Sequence, residues 1–259
     1  MRHKKKKSLG QHFLDDHVII ERIVKVIAPK PEDTVIEIGP GLGALTKPLL
    51  KLLNQLHVVE FDNDLIPVLK KMSEKIMVHH HDALTFDFST LSQNNIRLIG
   101  NLPYNISTPL LFHFIVYIDI IKDMHFMMQK ELVDRITATP GSKTYGRLSV
   151  MIQYYCIAEK CFDVPPEAFS PPPKVDSAVF RLIPKEERAL EQEEEKTFAT
   201  LVKQAFSQRR KTIYNVLKEM LTAKDWEASA IDKKARAETL ALDDFIQLTR
   251  LAHGNLCDR

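Results

Sequence analysis

The feature that most constrains this chain is an alternation of short β-branched runs with amphipathic stretches, repeated through its first half. Thr34-Val-Ile-Glu-Ile38 has the character of a strand, and Leu45, Leu49, Leu50 and Leu53 then return at helical spacing. The pattern recurs: His57 to Glu60 precedes Leu65 to Met72, Ile76 to Val78 precedes Asp82, Ile96 to Ile99 precedes Pro109 to Ile115, and His125 to Met128 precedes Glu131 to Ala138. Strands separated by helical crossovers pair in parallel, with helices on both faces of the sheet. Upstream, Val18, Ile19, Ile23, Val24 and Ile27 follow Asp15 and Asp16 and stop before Pro29 and Pro31, which predicts a helix. Downstream come a helix over Leu148 to Tyr155, a strand over Glu159 to Val164, a loop through Pro171-Pro-Pro173 and a last strand over Ser177 to Ile183.

After Pro184 strands give way to charged, helical sequence. Phe198, Leu201, Val202, Ala205 and Phe206 form one apolar stripe, and Ile213, Val216, Leu217, Met220 and Leu221 another. The predicted boundary lies near residue 186, dividing an α/β domain over 1–185 from a small all-α domain over 186–259. Trp226 and the Met127-Met128 pair read as core.

A net charge of +2 over 259 residues does not by itself call for a nucleic-acid partner, so the distribution of charge carries that argument. Arg2 with Lys4, Lys5, Lys6 and Lys7 makes one basic run, and Arg209, Arg210 and Lys211 another, with Glu191, Glu193, Glu194 and Glu195 between them. Either run alone is compatible with a solvated face. Cys156, Cys161 and Cys257 form no C-x-x-C pair, which argues against a disulfide framework or structural zinc and fits a reducing compartment. The basic start leads into Gln11, His12, Asp15, Asp16 and His17, unlike a secretory signal, and Leu110 to Ile121 is too short to span a bilayer. These features predict a cytoplasmic protein with no membrane partner. His79-His80-His81 invites a metal reading, but successive strand residues point to opposite faces, so no metal is expected.

In open parallel sheets, ligands bind beyond the carboxyl ends of the strands. Three strand ends here carry suitable groups. Glu37-Ile-Gly39-Pro-Gly41-Leu-Gly43 supplies a tight turn at which a ligand can approach backbone. Glu60, nineteen residues beyond Gly41, can take both hydroxyls of a ribose, and Asp82 can accept from an adenine amino group. Gly39-x-Gly41-x-x-Ala44 also fits a loose dinucleotide fingerprint. Glu37 decides against that, because a carboxylate there suits the ammonium of a methionine moiety and repels a pyrophosphate.

The fourth strand runs into Asn101-Leu-Pro-Tyr104. An exocyclic adenine amine is a poor nucleophile because its lone pair is delocalised into the ring. Acceptors at its two N–H positions, the Asn101 side-chain oxygen and the Leu102 carbonyl, favour a pyramidal nitrogen and free the lone pair for in-line attack on a sulfonium methyl. Pro103 shapes the turn, and Tyr104 offers an aromatic face to an unstacked base.

With these residues in view, the chain resembles the small-subunit ribosomal RNA adenine dimethyltransferases of the bacterial kasugamycin-sensitivity type. The likeness runs through Ser8-Leu-Gly-Gln-His-Phe-Leu14, Glu37 to Gly43, Asn101-Leu-Pro-Tyr-Asn-Ile-Ser-Thr-Pro-Leu110, Gln129-Lys-Glu131, Tyr145-Gly-Arg-Leu-Ser149 and Ala168-Phe-Ser-Pro-Pro-Pro-Lys-Val-Asp-Ser-Ala178. The resemblance implies a Rossmann-like class I methyltransferase sheet with S-adenosyl-L-methionine as cofactor, a catalytic domain over 1–185 with a basic arm over 1–16, and a helical RNA-binding domain over 186–259. It implies double methylation of N6 on two adjacent adenosines in a hairpin near the 3′ end of 16S rRNA, within an immature small ribosomal subunit, by a monomer. Cofactor positions carried over by the resemblance are His12, Leu14, Gly39, Glu60, Asp82 and Asn101. His12 departs from the Asn common in that block of the family; it keeps a donor and an acceptor but changes reach. Phe169 is a candidate second stacking face, with a buried loop anchor as the alternative. Arg209, Arg210 and Lys211 with Lys4 to Lys7, and Arg147, are candidates for phosphate contact. Three rivals stay open: an rRNA methyltransferase acting on the large subunit, an assembly factor for which methylation is secondary, and a DNA adenine methyltransferase.

Overall fold

A computed structural model of the chain describes residues 12–92 and 94–257. In chain order the elements are β1 (Phe13–Leu14), α1 (His17–Ile27), β2 (Thr34–Ile38), α2 (Thr46–Leu49), β3 (Leu56–Glu60), α3 (Ile66–Lys70), β4 (Ile76–His80), β5 (Ile96–Asn101), α4 (Ser107–Val116) and β6 (Ile121–Gln129). They continue with α5 (Lys130–Ile136), α6 (Arg147–Tyr155), β7 (Cys156–Val164), β8 (Phe169–Ser170), β9 (Ser177–Pro184), α7 (Gln192–Ala205), α8 (Ile213–Leu217), α9 (Ala223–Ser229) and α10 (Leu242–Cys257). The chain forms two compact units, residues 1–133 with 159–184, and residues 134–158 with 185–259.

The first unit is built on a sheet of order β4-β3-β2-β5-β6-β9-β7. Pairing is parallel from β4 to β6, and β9 enters antiparallel against β6. The order reverses at β2, with β3 on one side and β5 on the other, and this places a crevice above the carboxyl ends of those strands. β2 occupies the residues predicted for it because a β-branched run with four buried positions belongs at the centre of a sheet covered on both faces. Asp16 caps α1, its side chain accepting from the Val18 and Ile19 amides, and Ile20, Ile23 and Ile27 bury that helix in one apolar cluster with Val35, Ile99 and Val179. The opposite face holds Phe114 stacked on Phe126 with ring centroids 5.2 Å apart.

Two backbone positions call for glycine, one by its dihedral and one by close approach. Gly39, at φ +63°, turns the chain out of β2. At Gly100 a Cβ would sit 2.5 Å from the Ile38 carbonyl oxygen, so any side chain would push β5 off β2 one residue before Asn101. At the other end of β5, Arg97 is 5% exposed and gives all of its nitrogens to protein acceptors. Nε and Nη2 meet the two Asp123 oxygens at 2.9 Å each, Nη1 meets Asp33 at 2.7 Å, and the Ile27 and Ala28 carbonyls take Nη2 and Nη1 at 2.6 and 3.4 Å. Burial alone would raise the Asp33 and Asp123 carboxyls, but their hydrogen bonds and the Arg97 charge hold both below the usual carboxylate range.

The second unit differs from the expected division at residue 186. Its chain from 185 onward is helical as predicted, but residues 134–158 belong to it as well. α6 explains this. Seven of its nine residues are buried, a pattern that a helix with one covered face cannot have. Tyr154 packs on Phe198 of α7 with centroids 4.5 Å apart, and Glu195 accepts from the Tyr154 and Tyr155 hydroxyls. Gln153 ties the helix to the Ile136 and Ala138 carbonyls. Trp226 is buried as expected. Among the described residues, no helix is long and apolar enough to cross a membrane.

Candidate active site

The crevice at the reversal of strand order is a cavity of about 280 Å³ within the first unit. His12, Leu14, Glu37, Gly39, Gly41, Glu60, Asp82, Asn101, Leu102, Pro103 and Tyr104 all line it. The strand register brings them together: β2, β3 and β5 run side by side and in parallel, so their last residues open on one rim.

Each carboxylate is held in its own way. Glu37 is buried in β2 and accepts from the Thr46 hydroxyl at 2.7 Å. Burial pushes its carboxyl up to about 7, the Thr46 bond works against that, and the nearby Glu60 adds to it. Glu60 at the end of β3 takes the Asp62 amide on Oε1 at 2.8 Å and the Gly41 amide on Oε2 at 3.3 Å. The Phe61 amide also bonds this carboxylate, and with about four acceptor sites on the group one stays open to a ligand. Burial raises the Glu60 carboxyl, and the backbone amides around it oppose the rise. Asp82 follows β4 and takes the Leu84 amide on Oδ1 at 2.9 Å.

The motif after β5 is held as firmly. Leu102 donates its amide to the Met127 carbonyl of β6 at 3.0 Å, and the Pro103 carbonyl takes the Ser107 hydroxyl at 2.8 Å where α4 begins. Asn101 donates from Nδ2 to the His12 carbonyl at 3.3 Å. A carbonyl accepts only, so this contact fixes which way the amide faces and leaves Oδ1 as the end available to a ligand. The Tyr104 hydroxyl meets Ser177 Oγ at 2.7 Å, and burial raises its phenol above the ordinary range. At Gly39 a Cβ would meet nothing within 4 Å, so the turn presents open backbone beside these groups.

A family model for ribosomal RNA adenine dimethylases matches residues 2–253. The chain belongs to that family. A ribosomal RNA small subunit methyltransferase A from Laribacter hongkongensis is 53% identical over 98% of this chain and 97% of its own length. The crystal structure of a dimethyladenosine transferase from Plasmodium falciparum superposes with a TM-score of 0.78 at 28% identity, covering 92% of this chain and 96% of that one. That of the 23S rRNA methyltransferase ErmE does so at 0.76 and 24% identity, over 93% and 99%, and shares the fold. The sheet is therefore that of the class I methyltransferases.

One position carried over from the dimethylase family sits away from the cavity. Phe169 lies in β8, paired with Leu14, 3% exposed and inside the apolar cluster, so it anchors the loop and does not line the cavity. Lys4 to Lys7 lie outside the described residues. Arg147, Arg209, Arg210 and Lys211 are exposed in the second unit. The three consecutive histidines diverge: His79 bonds His57, His80 the Phe61 carbonyl, and His81 the Asp82 carbonyl. Among the described residues, no cluster of three or more His, Cys, Asp or Glu could hold a metal.

Sequence reasoning overlooked two aromatic members of the wall. Phe61 follows Glu60 directly and is 60% exposed at the cavity. Its place immediately past a ligand-bearing strand end was the available signal. Phe13 packs within 3.2 Å of where a Cβ on Gly41 would sit, a contact that local pattern does not reveal.

Proposed function

We propose that this chain transfers methyl groups from S-adenosyl-L-methionine to N6 of two adjacent adenosines in a hairpin near the 3′ end of 16S rRNA, twice on each, during assembly of the small ribosomal subunit. The observation that carries this reading is the meeting, in one cavity, of three strand-end carboxylates with the Asn101 to Tyr104 motif. The cofactor supplies a methyl group activated on a sulfonium. Glu37 faces the ammonium of its methionine part, the open acceptor site on Glu60 suits a ribose hydroxyl, and Asp82 accepts from the adenine amine. The Gly39 turn gives backbone access, and Phe61, whose amide bonds Glu60, offers the adenine an apolar face. Asn101 Oδ1 and the Leu102 carbonyl accept from the target amine, Pro103 sets the turn, and Tyr104 lies against the target base.

The rival substrate, large-subunit RNA, is less well supported. The relative named for the small subunit is 53% identical, whereas the 23S enzyme shares fold at 24%. The test is to offer tritiated S-adenosylmethionine with unmethylated small subunits, large subunits and duplex DNA in parallel. Label confined to small subunits supports the reading, and label confined to large subunits overturns it. The chain acts as a monomer in the cytoplasm in this reading.

Glu37 makes cofactor binding pH-dependent. With its carboxyl near 7 in the free protein, an arriving ammonium must drive off the proton below that pH. Affinity should tighten as pH rises from about 6 to about 7.5 and weaken again above about 8, where the ligand's own α-ammonium loses its proton. For the free protein the sign is opposite: a carboxyl raised on folding favours the fold below its unfolded value, and that advantage is lost as pH rises through about 7. Calorimetric titration in two buffers of unlike ionisation enthalpy reads proton release directly. A pH-independent affinity in wild type, or an unchanged slope in Glu37→Gln, would remove Glu37 from the site.

Arg147, Arg209, Arg210 and Lys211 are assigned to the RNA backbone. Replacing Arg209, Arg210 and Lys211 together by Ala should weaken subunit binding and flatten its salt dependence, each lost phosphate contact lowering the log–log slope by about 0.7–0.9. An unchanged slope would return the run to an ordinary solvated surface.

A further inference from the structure

Both polar side chains of the Asn101 to Tyr104 motif are held by residues outside it. The Tyr104 phenol oxygen lies 2.7 Å from Oγ of Ser177, the first residue of β9, and Ser177 is fully buried. On the ring, the His12 imidazole lies at 24° to Tyr104 with centroids 5.9 Å apart. His12 is in turn tied through Nδ1 to the Pro171 carbonyl at 2.9 Å, while its own carbonyl receives Asn101. Pro171 and Ser177 bound a single loop, which leads from β8 into β9. The loop therefore reaches Tyr104 directly through Ser177, and reaches Asn101 through His12.

We propose that Ser177 is a positioning residue for methyl transfer, fixing the far end of the Tyr104 ring so that the target base meets it in one orientation. An aromatic side chain on a turn can swing about its first two torsions, and the hydroxyl-to-hydroxyl bond removes that freedom at the point of greatest leverage. The anchor on the other side is β6, with which β9 pairs: Ser177 stands opposite Gln129, and Val179 opposite Met127, the same Met127 whose carbonyl receives the Leu102 amide. Tyr104 and Leu102 are thus referenced to one rigid strand pair, as a near-attack geometry requires. The proposal rests on the methyltransferase reading above and gives a role to a residue of the Ala168 to Ala178 block that does not line the cofactor cavity.

The test combines Tyr104→Phe, Ser177→Ala and the double variant. Single-turnover methylation of unmethylated small subunits and equilibrium affinity for S-adenosylmethionine are measured on each. If the bond positions the ring, either single change lowers the methylation rate about tenfold, the double variant loses no more than either, and cofactor affinity stays within about twofold. Ser177→Thr, which restores a hydroxyl, recovers most of the rate. Singles whose losses multiply to about a hundredfold in the double variant would overturn the proposal. So would cofactor affinity falling in step with rate, or a Tyr104→Phe enzyme as fast as wild type. Should Ser177→Ala fold poorly, Tyr104→Phe carries the test alone, because it deletes the same bond and leaves β9 untouched. The two readings fail separately: wild type that labels no small subunits overturns the assigned reaction, whereas labelling undiminished in the variants overturns only the role of Ser177.

Discussion

Asn101→Ala is expected to lower methyl transfer by at least about 10²–10³, some 3–4 kcal/mol of transition-state stabilisation, the range seen when one preorganised hydrogen-bonding group is removed from a reacting centre. Cofactor affinity should stay within about tenfold, or about 1.4 kcal/mol. The separation follows from what the residue touches. Its Nδ2 is already committed to the His12 carbonyl, so its free end is the acceptor Oδ1, and an acceptor is what a delocalised amine needs in order to become pyramidal. Glu37, Glu60 and Asp82, which would carry cofactor binding, are held by Thr46, Gly41, Asp62 and Leu84, and none of those contacts involves Asn101. Single-turnover rates on unmethylated small subunits, set beside equilibrium binding of S-adenosylmethionine, check both halves. Loss of rate and binding by equal factors would make Asn101 a structural support for the cavity.

Much of this site is legible in the sequence because the chemistry sits at strand ends, and strand ends are where pattern is sharpest. A β-branched run that stops at glycine fixes Glu37 to within a residue, and parallel pairing then brings Glu60 and Asn101 to the same rim. Contacts across long stretches of chain were not legible. β1 and β8 are two residues each, too short for periodicity, yet they pair Leu14 with Phe169 and so bury the ring that had been a candidate stacking face. Ser177 reads locally as the first residue of the last strand, and nothing in its neighbours announces a partner 73 positions away. The division into units failed for a related reason. Strand–helix alternation identifies α6 as a helix but says nothing of what covers it, and its nearly all-round burial becomes informative only when Phe198 is seen against Tyr154. The helical stripe over Leu45 to Leu53 likewise yields a four-residue helix, because the turns around it, with Gly43 at φ +82° and Pro48 inside it, interrupt the regular hydrogen-bond ladder.

The largest stability effect is expected at Arg97, at the end of β5 opposite the cavity. Arg97→Ala should cost about 3 kcal/mol, because it takes the guanidinium from two half-buried carboxylates and two carbonyl oxygens that it now satisfies. Lysine cannot substitute, since one ammonium cannot reach acceptors spread over α1, the loop before β2, and β6. The pH dependence distinguishes this from simple loss of packing. In wild type, Asp33 and Asp123 ionise below the ordinary carboxylate range when folded, so their contribution is present above the unfolded value of about 4 and is lost as pH falls through the folded one. In Arg97→Ala the burial penalty acts without the guanidinium charge, which raises both carboxyls and weakens that slope, while Lys122 and the Lys30 amide still hold Asp33. The stability gap between wild type and variant should therefore narrow on acidification. Urea unfolding at neutral pH and again near pH 4 measures it, and a gap under about 1 kcal/mol, or one that widens with acid, would mean the network contributes little. Below its melting temperature the variant should still bind S-adenosylmethionine, because the strand ends that form the cavity are ordered by Gly39 and Gly100 and by the Leu102 bond to β6, none of which passes through Arg97.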